Sequence, residues 1–353
     1  MSAAINMYPC LLLPDGTETR VKQTNYAEKL NGTAAPLDGS EGNLVMRYDA
    51  FYSSFSMVDG IVTVKNSSVP FGGGAINPGF SDGSKTVEKQ YIGIYPAVWF
   101  DVSASAYVDG NGVNTAFDAN ADKIGSVAGK LPLTGNGLST LRNAATRVGF
   151  GWHILDAKAM LIIQYLLLSQ LGSFRFSEGF GDGNTRFTGS FSFSNMISET
   201  GKVLGMPHFG QCTDGGNKGD HCQILGLELM GGIWEYCDGI KAINTGTVSI
   251  CQDHTKYAVD AAYTTLCPEP SAQGLQKNFV NSPWLYPNEV TTNLNYVTSF
   301  IGAYVWRSAA NAAVLKCFGD AISGFNGGPF TKYMGYSVGV PNIGSRLCYT
   351  PPN

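Results

Sequence analysis

Charge is what this sequence has least of. Asp, Glu, Lys and Arg make up 14% of its 353 residues, against roughly a quarter in an ordinary soluble domain. The Lys and Arg residues form no cluster, and the formal net charge is −4. A nucleic-acid partner needs a basic face to neutralise phosphates, so that class of function is disfavoured. Long apolar runs are missing too. The longest, Ala159 to Leu168, is about half of the ~20 residues that a membrane-spanning helix requires, so no membrane insertion is expected. The N-terminus Met-Ser-Ala-Ala-Ile-Asn carries no basic region ahead of its short apolar patch Cys10 to Leu13, unlike a secretory signal. Folding in a cytosol is therefore expected, with the eight Cys mostly reduced and buried as small core residues.

Glycine is abundant instead, at 44 residues, and hydrophobic residues reach 44%. That mixture predicts a sizeable core built from many short strands, turns and long loops. Sparse charge also suits a protein that hides much of its surface in an assembly. Asp15-Gly16, Asn31-Gly32 and Asp38-Gly39 are turn dipeptides. Asn43 to Tyr48, Gly60 to Val64 and Gln90 to Phe100, with a break at Pro96, read as strands. Residues 101–137, rich in Asp, Asn, Gly and Ala, read as an exposed insertion.

Two helices follow. The first is predicted over 138–148, with Ser139 or Thr140 as its cap and Leu138, Leu141, Ala145 and Val148 on one face. The second, over 152–171, is apolar almost all round and should be buried against a sheet, with Gly172 closing it. Further on, Phe187 to Phe193, Thr247 to Cys251 and Ser337 to Tyr349 read as strands, and no long helix is expected. There is no clean linker and no internal repeat. The predicted class is α+β.

Several motifs then fall into a pattern. Leu227-Glu-Leu-Met-Gly-Gly-Ile-Trp-Glu-Tyr-Cys-Asp-Gly-Ile240 resembles the core of C-type lectin folds of the formylglycine-generating-enzyme type. It is similar to the version found in phage tail and fibre proteins and in the variable proteins of diversity-generating retroelements. The stretch from Trp306-Arg307 to Gly344-Ser-Arg346-Leu347 resembles their last segment, which opens on Trp and closes on Gly-x-Arg-Leu. Leu37 to Met46, Tyr91 to Tyr95 and Gly149 to Asp156 also fit these proteins, so the resemblance covers about residues 8–350. It departs from the family at Glu228-Leu229 and Gly231-Gly232, where an Asn normally stands second in each pair.

The resemblance implies a C-type-lectin-like fold with two helices and long loops over 86–353, preceded by a small N-terminal β-rich assembly or attachment region over 1–85. It implies a non-enzymatic phage virion protein, a receptor-binding or fibre protein for host attachment. The alternative from a different class is a purely structural capsid or tail decoration, or head fibre, without a receptor. Implied partners are a host cell-surface glycan or protein, other virion proteins and two further copies in a homotrimer; the location is the virion, on tail or capsid. Repetition of a weak site would give avidity.

Glu228, Trp234, Asp238, Trp306 and Arg346 are expected to be scaffold. Trp234 offers a large ring with an N–H that needs a partner, and Glu228 and Asp238 can accept bonds from loop amides. The family's display face lies between its Trp and its Gly-x-Arg-Leu. Here that segment supplies Arg307, Ser308, Asn311, Phe318, Asp320, Ser323, Phe325, Asn326, Phe330 and Tyr333, with Lys316 and Lys332 among them. Aromatics among Gly and small polar residues resemble a paratope. The same Phe residues could equally plug a core under long loops, and the sequence leaves both open. Phe279, Trp284 and Tyr286 are expected to flank this face.

No cofactor or metal is expected. Catalytic relatives chelate copper with two close Cys near the C-terminus, whereas Cys317 stands alone between Arg307 and Gly335. The four His (His153, His208, His221, His254) lack the clustering of an iron site. His208, Cys212, His221 and Cys222 are zinc-ligand types, but their spacing is unlike a common finger, and a Cys212–Cys222 disulfide is a further option. Asp118 to Asp122 starts like a calcium loop, yet Lys123 and Gly129 stand where Gly and Glu are needed.

Overall fold

The computed structural model describes residues 4–58, 61–110, 112, 116–172, 199–202, 209–212, 221–230, 233–244, 246–270, 272–279, 283–291, 304–307, 314–318, 328–335 and 337–352. Within them the chain is mixed but β-rich, with two α-helices and many strands. The predicted strand Phe187 to Phe193 lies outside the described residues.

The first part supplies β1 (Met7–Leu12), β2 (Glu18–Lys22), β3 (Asn25–Lys29), β4 (Asn43–Asp49) and β5 (Lys89–Pro96). Then come α1 (Leu138–Thr146), β6 (Trp152–Ile154) and α2 (Ala157–Leu171). A three-stranded sheet follows, β7 (Phe209–Cys212), β8 (His221–Ile224) and β9 (Leu227–Met230). The rest is β10 (Trp234–Asn244), β11 (Thr247–Ile250), β12 (Thr264–Pro268), β13 (Gly274–Phe279) and β14 (Pro287–Thr291). The last are β15 (Tyr304–Arg307), β16 (Val314–Phe318), β17 (Gly328–Gly335), β18 (Ile343–Gly344) and β19 (Arg346–Tyr349).

Two large sheets carry the fold. One runs β6-β19-β5-β4-β1-β2-β3; the other runs β12-β11-β10-β16-β17-β15-β13-β14, with β18 parallel to β10. The alternation of side chains along each strand feeds two cores. On β4, Leu44 and Met46 enter one core and Val45 the other; on β19, Cys348 enters the first and Leu347 and Tyr349 the second. The first core holds α2 and the second holds α1. Strands covered on both faces need continuous apolar runs, which is why Leu44-Val45-Met46 and Tyr91-Ile-Gly-Ile-Tyr95 carry no charged side chain.

The expected boundary at 85/86 is not a structural one. β19, near the end of the chain, pairs with β5, which pairs with β4, which pairs with β1. The first 85 residues and the last ten thus share one sheet and one core. The predicted insertion 101–137 also needs correction. Residues 123–125 pair with 98–100, Leu44 donates its N–H to the Ser126 carbonyl, and Ile124, Val127 and Leu133 are buried.

The second helix starts later than its apolar pattern suggests. Trp152 to Ile154 pair with β19 as a strand, and Asp156 caps α2 by accepting the Ala159 N–H at 2.8 Å. Gly172 ends it at φ +61°, the left-handed conformation that glycine adopts without strain. The first helix is capped at Gly137, with no side-chain bond from Ser139 or Thr140. No helix among the described residues is long and apolar enough to cross a membrane.

Candidate functional site

The segment around Trp234 is built on buried polar bonds. Glu228 accepts the Gly201 N–H at 3.0 and 3.2 Å, and one of its oxygens lies 2.7 Å from His221 Nδ1. Asp238 accepts the Gly239 N–H at 2.9 Å and a two-point contact from Arg142, at 2.7 and 2.8 Å. The Trp234 ring is buried 5.5 Å from the ring of Tyr333, and its backbone N–H donates to Asn342 at 2.8 Å. Leu229, at a position where the family has Asn, is buried in the core of α2. Gly231 and Gly232 lie outside the described residues.

Arg346 joins four strands. Its Nη1 donates to the Gly93 and Ile94 carbonyls at 2.8 and 2.6 Å; Nη2 donates to the Glu228 carbonyl at 2.7 Å and to Glu235 at 2.8 Å; Nε donates to Glu235 at 3.1 Å. A guanidinium has five N–H donors, and all five are used here without solvent.

The expected display residues divide three ways. Ser308, Asn311, Asp320, Ser323, Phe325 and Asn326 lie outside the described residues. Arg307 and Phe318 are the last residues of β15 and β16, and Trp306 sits beside Tyr333 in the parallel register of β15 and β17. Of the last two, Phe330 speaks against the display expectation, while Tyr333 keeps part of its surface exposed. β17 runs inside its sheet with a core on each face, so Phe330, at 2% exposure, packs into the α2 core. Tyr333 is half-buried on the opposite face, against Trp234. Lys332 is buried as well. Tyr286 is buried in the α2 core and so flanks no outward face, whereas Trp284 is half-buried against that core.

The fold also assembles a polar cluster that the sequence did not announce. Lys158, on the first turn of α2, is buried and donates to Asp82 at 2.8 Å, with Asp156 3.9 Å away. A cation at a helix N-terminus opposes the helix dipole, and these two carboxylates offset it. His254 Nδ1 lies 3.0 and 3.1 Å from the same Asp82 carboxylate, and its backbone N–H reaches it at 3.2 Å. Burial alone would raise the Asp82 pKa; the bonds and charges of His254 and Lys158 outweigh it and hold the carboxyl far below the usual range.

Tyr257 donates to Asp156 at 2.6 Å. His153 stacks 5.2 Å from His254, with Nδ1 facing the Ile154 carbonyl at 2.8 Å and Nε2 the Thr350 hydroxyl at 3.0 Å. Burial pushes the His153 pKa down from 6.5 to about 4, against the pull of Asp156. Two of the four His are thus neighbours. One atom each of Asp82, Asp253 and His254 falls within 4.8 Å of the others, but Lys158 already neutralises Asp82, so the donor set answers to a lysine.

The remaining candidates resolve into structure. Cys212 and His221 are cross-strand partners, His221 is held by Glu228, and His208 lies outside the described residues. Asp122 accepts from the Trp99 ring N–H at 2.8 Å, from Val102 at 3.0 Å and from Asp118 at 2.8 Å, so this carboxylate secures a loop. Cys317 is not alone: the register of β10 and β16 sets it diagonally across from Cys237. An open groove of about 240 Å³ lies beside α1, lined in part by Ser139, Arg142, Asp238, Lys241, Tyr263 and Ser337. Its charges are internally paired, Arg142 with Asp238 and Lys241 with Asp260.

Compared with known proteins, the chain matches no family model and no curated protein.

Proposed function

We propose that the chain is a non-enzymatic phage virion protein with a C-type-lectin-like fold, which attaches to a host cell-surface glycan or protein through the loops of its C-terminal segment and works as a homotrimer among other virion proteins. The observation that carries this reading is the anchoring of that segment at both ends. Downstream, Arg346 spends five hydrogen bonds on β5, β9 and β10. Upstream, β15, β16 and β17 are neighbours in one sheet. The stretches 308–313 and 319–327, which join those strands, hold six of the ten expected contact residues. Contact residues carried between fixed strands lose less conformational entropy on binding than free ones.

The test is to replace Phe325 and Asn326 together by Ala in assembled particles and to measure adsorption to host cells. Loss of adsorption by intact particles supports attachment. Loss of particle assembly with adsorption unchanged in the survivors supports a purely structural decoration instead.

A further inference from the structure

The centre of the nine-stranded sheet holds two thiols and an amine together. β10, β16 and β17 are successive neighbours. Their register sets Glu235 opposite Cys317, Cys237 opposite Leu315, and Leu315 opposite Met334. Residues two apart on a strand share a face. Cys237 and Cys317 therefore stand diagonally on one face, within side-chain reach. Lys316 is opposite Tyr333, and an irregularity follows that sets Phe318 opposite Gly328; Lys332 lies next to Tyr333 on the adjoining strand, and the thiols of Cys317 and Cys237 are the charges acting on it. All three are sealed in, at 1%, 0% and 4% exposure, and both thiols belong to the core that holds α2.

Each member alone would be unremarkable, but the combination is reactive. A buried thiol pair is normally inert, because the thiolate is the nucleophile and burial disfavours it. A buried lysine is normally matched by a carboxylate, yet among the described residues none pairs with Lys332. The charges facing it are those that Cys317 and Cys237 would carry, and burial draws its pKa down. Burial makes this amine more willing to give up its proton than an exposed lysine, and the thiols of Cys317 and Cys237 are the acidic groups that face it. A lysine beside a thiol can stabilise the negative charge that develops on sulfur during attack and can supply the proton that the leaving group needs.

We propose that Cys237 and Cys317 are an oxidative modification site, which a small hydroperoxide converts to a disulfide bonding β10 to β16 inside the core. In the first step the Cys317 sulfur attacks one peroxide oxygen. The O–O bond breaks, the S–O bond of a sulfenic acid forms, and the leaving oxygen takes the proton held by Lys332 and departs as water. In the second step the Cys237 sulfur attacks the Cys317 sulfur, the S–O bond breaks, and the hydroxyl leaves as water with the Cys237 proton. Two thiols and one hydrogen peroxide give one disulfide and two waters. Hydrogen peroxide is small enough to enter where a glutathione disulfide is not. The cross-link would brace β16, one of the strands between which 308–313 and 319–327 run, but the chemistry does not depend on that segment's role.

The experiment uses the reduced full-length protein. It is treated with hydrogen peroxide, unfolded, alkylated with iodoacetamide, digested and mapped by mass. The expected product is the Cys237 peptide joined to the Cys317 peptide, lighter than their sum by two hydrogens and separated by dithiothreitol. Lys332→Met is expected to slow its formation at neutral pH, because the proton donor to the leaving oxygen is gone; an unchanged rate would overturn the role of the amine. Recovery of both residues as alkylated thiols overturns the proposal. So does either sulfur ending as sulfinic acid, bridged to Lys332, or joined to another cysteine. The wild-type map needs no variant to fold.

Discussion

The guanidinium of Arg346 grips the carboxylate of Glu235 at 2.8 and 3.1 Å, and neither side chain reaches water. Such a pair gives modest net stability when intact, because desolvation offsets attraction, but breaking it leaves a buried charge alone. Arg346→Met is therefore expected to cost about 3–5 kcal/mol, since it strands Glu235 and three carbonyls together. Arg346→Lys should rescue little of this, because three donors cannot serve five acceptor positions. Urea denaturation of the three proteins checks it, and a lysine variant as stable as the parent would refute the five-bond account.

Much of the frame could be read from local pattern. Asn43 to Tyr48 showed its strand by composition, and the apolar run with Gly172 after it showed most of α2, because those signals sit within a few residues. What could not be read depends on distant partners. Trp152 to Ile154 fits a buried helix as well as a strand, and only β19 decides; His153 meets Thr350 across 197 positions. The supposed boundary at 85 failed for the same reason, since β19 returns to pair with β5. At the site, Phe330 looked like an anchor among glycines, because the cores on both faces of β17 are assembled from other parts of the chain. The cluster of Asp82, Lys158 and His254 was invisible for want of any short spacing among its members.

His153 makes stability depend on acid. Its folded pKa, about 4, lies below the 6.5 of the unfolded chain, so between these values the unfolded state binds the extra proton. Stability is then complete above about pH 6.5 and is lost as pH falls towards 4, on the order of 3 kcal/mol in all. Asp82 shifts in the same sense, its carboxyl being held low by His254 and Lys158, and adds a further loss at still lower pH. Denaturation midpoints across pH 4–7 should fall with acid, and His153→Gln should flatten the upper part of that curve.

Gly239 and Gly246 both take the left-handed backbone, at φ +74° and +85°. A side chain at either pays about 1–2 kcal/mol of backbone strain. At Gly246 an added Cβ meets nothing, while at Gly239 it would lie 2.8 Å from the Tyr257 ring and 3.0 Å from the Cys251 carbonyl. Gly239→Ala should therefore destabilise more than Gly246→Ala, and the difference reports the clash with Tyr257, whose hydroxyl is fixed on Asp156, together with that against the Cys251 carbonyl. Equal melting temperatures for the two variants would remove those contacts from the account.

Phe330 and Asn326 separate scaffold from attachment within one short segment. Phe330 is sealed in the α2 core, and Gln276 donates to its carbonyl at 2.6 Å. Phe330→Ala is expected to cost about 3–5 kcal/mol, the usual loss on emptying a buried aromatic site. Any fall in host adsorption should then track the fraction of folded protein. Asn326→Ala, on the proposed attachment reading, should leave the unfolding midpoint within about 0.5 kcal/mol of the parent and still lower adsorption. Measuring stability and adsorption for both decides the matter, because a loss of adsorption that always follows loss of folding would leave the C-terminal segment with no contact role of its own.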